Sequence, residues 1–160
     1  MIIKGYKAFN KDRTSRYNTP YEEGKIYQVN GPLKFGNSGN GIHFCKRLED
    51  TLRYFPAMEE EIAIAQVTGI GEIVEYYDDY YGYYDMYAAR KLKIDKFLER
   101  DEIIEMFLSL HDDRVKRFVS GFKLTEEEIK MFKETFQTEE KVLKAIAYYQ
   151  ENERDVYAKS

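Results

Sequence analysis

The chain has 160 residues, a net charge of −4 and one cysteine, with 25 basic and 29 acidic side chains. That balance weighs against nucleic-acid binding, which demands a basic excess, and a lone thiol excludes an internal disulfide. Leu, Ile, Val and Phe supply 39 residues, enough for a folded core, and no apolar run approaches a membrane span.

The opening stretch MIIKGYKAFNKD is interrupted by charge too early for a signal peptide's apolar region. Together with the single Cys45 this sets the expectation of a cytoplasmic protein. Residues 2–9 read as a first strand, with Ile3, Tyr6 and Phe9 as core candidates. NKDRTSRYNTPYEEG is loop chemistry, and KIYQV (25–29) alternates as a half-buried strand does. After a Gly/Pro-rich connection, GIHFC (41–45) is short, apolar and bounded by turn residues, which suits a buried strand.

KRLEDTLRYF places Leu48, Leu52 and Phe55 at helical spacing, predicting an amphipathic helix that ends near Pro56. EEIAIAQVTG (60–69) alternates, Gly69 and Gly71 bracket a predicted turn, and EIVEYY (72–77) reads as the next strand. YAARKLKI (87–94) alternates again, with Leu92 and Ile94 on one face.

From Asp95 the apolar period lengthens to about 3.6. Asp101 and Asp112 are candidate N-caps for helices carrying Ile103, Ile104 and Phe107, then Val115, Phe118 and Val119. Thr125 and Glu128 have the spacing of a capping box, with Leu124 and Ile129 at the hydrophobic-staple positions. A last helix is expected at about 139–151. The predicted fold class is α+β: a small antiparallel or mixed sheet with one helix over residues 1–95, then a tail of about four helices over 96–160 packed on it.

Several groups could carry chemistry. His43 and Cys45 share one face of their strand; a Cys–His pair can activate a thiolate or bind a metal, and equally can be a buried thiol beside a hydrogen-bonded imidazole. Lys11, Arg13, Ser15 and Arg16 form either an anion grip or a solvated loop. Glu72 and Glu75, near a strand end, could serve as a general base or hold a ribose hydroxyl, and are otherwise solvated carboxylates.

Tyrosine is the compositional outlier: 15 are present with no Trp, and seven lie between Tyr76 and Tyr87. Tyr80, Tyr81, Tyr83 and Tyr84 offer wide contact area at low rotamer entropy, as partner recognition favours, or else cover the sheet. No phosphate-binding Gly loop, HExxH, GxSxG or CxxC motif occurs.

The ordered stretches GYKAFNKD (5–12), EEGKIY (22–27), GIHFC (41–45) with the helix after it, and KLKI (91–94) resemble a family of uncharacterised phage and prophage proteins. The loop RTSRYNTPY departs from that family's shorter CRGFQY-like passage. The resemblance brings no activity of its own; taken with the tyrosine-rich segment it sets the expectation of a non-enzymatic protein of phage or prophage origin that binds a host protein, and the company that family keeps implies a counter-defence or host-takeover role. GNGIHFCKRLEDTLRYF followed by EIAIAQV also resembles the order of elements in ADP-ribosyltransferases. That likeness implies an NAD-binding cleft with His43 at the nicotinamide-stacking position, Glu72 or Glu75 as the carboxylate, and Arg13 and Arg16 on the cofactor.

Overall fold

The computed structural model describes residues 1–34, 40–55, 57–78 and 82–151. Its chain divides into two units, Met1–Phe55 with Glu61–Leu98, and Pro56–Glu60 with Glu99–Ser160. Among the described residues the architecture is α+β, five antiparallel strands in the first unit and four helices in the second. No described helix is long and apolar enough to cross a membrane.

The strands are β1 (Ile2–Asn10), β2 (Ile26–Gln28), β3 (Ile42–Cys45), β4 (Ile62–Asp78) and β5 (Gly82–Phe97), with α1 (Leu48–Thr51) between β3 and β4. Their order is β2-β5-β3-β1-β4, and β4 returns to pair with β5. The sheet therefore closes on itself through β1, β4, β5 and β3. Closure leaves the ring no long exposed edge. β1 and β4 pair over nine residues, from Ile2↔Ile70 to Asn10↔Ile62, whereas β1 meets β3 only at Tyr6↔Cys45.

Period-two alternation fills the interior. Phe9, Ile42, Phe44, Ala65, Val67, Tyr87, Ala89, Leu92, Ile94 and Phe97 form one buried cluster. Each large member contributes about 1.5–3 kcal/mol by leaving water. Phe44 occupies space that two glycines leave open: a Cβ on Gly69 would stand 2.7 Å from its Cζ, and one on Gly5 would stand 3.0 Å from its Cδ2 and 2.2 Å from the oxygen of Cys45.

The sheet unit departs from the sequence-based expectation at two points. The Gly69–Gly71 stretch is no turn: β4 runs through it, because Gly71 takes φ +81° and the strand absorbs the irregularity as a register shift between Ile70 and Ile73. The helix expected over 46–55 shrinks to the single turn α1, followed by turn geometry to Tyr54. Leu48 is fully buried, while Leu52 and Phe55, the rest of the expected stripe, are only half-buried, so the buried apolar face is too short to sustain more.

The second unit contains α2 (Arg100–Leu108), α3 (Asp112–Val119), α4 (Glu126–Thr135) and α5 (Glu140–Ala145), which runs into a π-helical turn, Ile146–Gln150. The caps of α2 and α3 are Glu99 and His111, not Asp101 and Asp112. Glu99 wins because its N–H donates to Glu102 Oε1 at 3.0 Å, while Asp101 accepts from the Glu102 N–H inside the first turn. Thr125 and Glu128 form the predicted box, with bonds of 2.8 and 3.1 Å.

Phe107 and Phe118 stack at 3.9 Å, and Phe118 also meets Phe122 and Phe132. The buried Gln150 donates to the oxygens of Val119 (2.6 Å) and Phe122 (2.8 Å) and accepts from the N–H of Leu124 (3.0 Å). It thereby satisfies the backbone of the α3–α4 connection from inside the core.

Candidate functional site

The narrow β1–β3 seam borders a cleft of about 670 Å³ in the first unit, within the range typical of small-molecule sites. β1 contributes Tyr6, Lys7 and Ala8; β3 contributes its whole length; the loop after β1 adds Ser15, Arg16, Tyr17, Thr19 and Tyr21. Thr51, Tyr54, Phe55, Tyr76 and Met86 complete the far side.

That loop is held by its own polar side chains. Asn10 Nδ2 donates to Thr14 Oγ1 (3.0 Å) and the Ser15 oxygen (2.9 Å). Ser15 Oγ accepts from the N–H groups of Tyr17 and Thr19 at 3.3 and 3.2 Å. Arg13 and Asn18 take left-handed conformations, φ 67° and 65°, which let so short a segment reverse. The polar stretch read as loop chemistry is thus an ordered turn that carries Arg16 and Tyr17 to the cleft mouth.

Lys7 is the residue that sequence reading missed. Its Cα partner on β4 is Ala65, a fully buried member of the core cluster, so this lysine stands in the inward phase of β1 with Ile3 and Phe9. A lysine in phase with an apolar strand face was the available signal. Its Nζ donates to the main-chain oxygen of His43 at 2.6 Å and lies 5.8 Å from the ring centre of Phe9. The residue is half-buried. Burial pushes its pKa down to about 8, with Cys45 acting in the opposite direction. Among the described residues no carboxylate pairs with it.

His43 lines the cleft as well. Burial lowers its pKa, and the neighbouring Lys7 charge lowers it further, so the imidazole is neutral at pH 7. Cys45, 3% exposed, also lines the cleft. Among the described residues no group of three or more potential metal ligands forms.

The structure brings His43 and Arg16 to one cleft, and Arg13, Glu72 and Glu75 do not line it. Arg13 turns its guanidinium over the Phe97 ring, 4.3 Å from its centre. Glu72 sits just past the Gly71 bulge, where Arg90 grips its Oε2 through Nε (3.2 Å) and Nη2 (2.7 Å). Glu75 is exposed and does not line the cleft. The constellation of His43 with a glutamate about one ligand is therefore not assembled. Tyr83 and Tyr84 fall on β5, described by its backbone there, and Tyr80 and Tyr81 lie outside the described residues.

No curated protein and no solved structure matches the chain. A family model, a domain of unknown function (DUF7666), matches residues 3–106, which takes in the five strands but for Ile2, the cleft and most of α2. That match spans well over half of the sequence, and the chain belongs to the DUF7666 family.

Proposed function

We propose that the barrel is a binding module for a small anionic ligand with a planar aromatic part, of the kind that nucleotides present. One observation carries the reading. In a chain of net charge −4, the cleft is lined by Lys7 and Arg16 and, among the described residues, by no Asp or Glu. Such a wall concentrates anions, and the low dielectric behind it strengthens the attraction. Tyr6, Tyr17, Tyr21, Tyr54, Phe55 and Tyr76 add faces on which a planar group stacks. Thermal melting with ATP, ADP-ribose and NAD tests it, since a ligand of the native state raises the melting temperature. At least one should do so, and Arg16→Ala should reduce the shift. Silence with all three, or a shift indifferent to Arg16→Ala, removes the reading.

A second surface is favoured by the length of the β4–β5 hairpin. Beyond the Tyr76↔Met86 pair its strands continue with Tyr77 opposite Tyr83 and Asp78 opposite Gly82, past the last residue of β3. We propose that this tyrosine-rich end engages a host protein in the cytosol, the partner class that the phage and prophage resemblance implies. Replacing Tyr80, Tyr81, Tyr83 and Tyr84 by Ser should abolish capture from host lysate while leaving the melting temperature in place. Capture that survives refutes this surface.

A further inference from the structure

The cleft places one amine where a carbonyl compound would meet it. Lys7 reaches the wall from the inward face of β1, and the oxygen of His43 fixes its Nζ there through a single hydrogen bond. No described carboxylate competes for the nitrogen. Arg16 lines the same cleft and suits a carboxylate or phosphate on the same ligand. Resting on the anionic-ligand reading above, we infer that Lys7 forms an imine with an aldehyde or ketone that carries an anionic group.

The step balances without a redox partner. The neutral amine attacks the carbonyl carbon, forming a C–N bond as the C=O π pair moves to oxygen. A proton passes from nitrogen to that oxygen, giving a carbinolamine. Loss of the hydroxyl with one further proton releases water and leaves C=N. Burial favours the reactive form: with a pKa of about 8, Lys7 holds on the order of a hundredfold more neutral amine near pH 7.5 than an ordinary lysine. Desolvated lysines are activated in the same way.

The experiment is trapping. The full chain is incubated with pyridoxal 5′-phosphate, a planar anionic aldehyde, reduced with cyanoborohydride, and mapped by peptide mass spectrometry. Lys7 should be labelled about tenfold or more faster than any other lysine, part of the neutral-amine advantage being lost to lower basicity. Labelling that simply follows exposure, with half-buried Lys7 among the slowest sites, overturns the inference. Lys7→Arg should lose the selective adduct; because selectivity is read on the parent protein, the test stands even if that variant misfolds. Two further probes separate this inference from the reading beneath it. Pyridoxine 5′-phosphate, which lacks the carbonyl, should raise the melting temperature and protect Lys7; a melting shift without selective trapping leaves anion binding standing and sinks the imine. Pyridoxal without the phosphate should label Lys7 more slowly; equal rates sustain the imine and remove the anionic requirement.

Discussion

Lys7 Nζ donates to the main-chain oxygen of His43 at 2.6 Å, beside the seam where only Tyr6 and Cys45 pair β1 with β3. One side chain thus reaches from the backbone of one strand to that of the next where the ladder does not. The titration of that nitrogen therefore bears on the stability of the seam.

Between about pH 8, where folded Lys7 titrates, and 10.5, its ordinary value, the native state binds fewer protons than the unfolded chain. Stability should therefore rise with pH through that window, by about 3 kcal/mol. Tyr21, whose phenol burial pushes up, works in the opposite direction near pH 10. The difference between parent and Lys7→Met in urea melts at each pH isolates the lysine; a pH-independent difference contradicts the assignment.

His43 gives the complementary signal. Its folded pKa lies below 6.5, so stability should fall as pH drops below that value, and less so in His43→Gln. Burial is the larger cause and Lys7 the smaller. An imidazole proton titration followed by NMR should accordingly show a midpoint below 6.5 that moves up in Lys7→Met without reaching the free value.

Gly69→Ala should destabilise by about 1–3 kcal/mol, because the new methyl meets the end of the Phe44 ring at 2.7 Å in a closed interior. Phe44→Leu has its own cost, but the double variant should show positive coupling, the smaller side chain making room for the methyl. Strict additivity in a urea double-mutant cycle would mean that ring and glycine do not share this space.

In the helical unit, Gln150→Leu keeps the volume and removes the hydrogen bonds. The Val119 and Phe122 oxygens and the Leu124 N–H lose their buried partner, a loss of about 2–5 kcal/mol. Hydrogen exchange at the Leu124 amide should accelerate selectively. Unchanged protection there would show that Gln150 does not carry that amide.

Much of this fold was legible because its local signals agree with its tertiary environment. Leu92 and Ile94 alternate inward as read, and Thr125 with Glu128 caps α4. What failed shows where local rules have competitors. Gly71 carried turn chemistry, yet pairing on both flanks made its positive φ a bulge, since one left-handed residue kinks a strand without reversing it. Lys7 escaped notice because charge argues for solvent, and only the strand phase told otherwise. The cleft could not be read at all: Lys7, Arg16 and His43 come from separate segments, and nothing local specifies the pairing that gathers them.

The order in which the barrel's partners occur along the chain dictates how it can be made. β1 pairs mainly with β4, and β2 and β3 with β5, so before residue 62 emerges from a ribosome the one pairing between these strands that is available, among the described residues, is Tyr6 with Cys45. Phe9 and Phe44 have left the tunnel long before the strands that enclose them. The β4–β5 hairpin is the one extended pairing of low sequence separation, and the earlier strands must wait for it as a template. A nascent chain cut before β5 is complete has no core to close, and it presents its aromatic residues to any chaperone or sticky neighbour within reach.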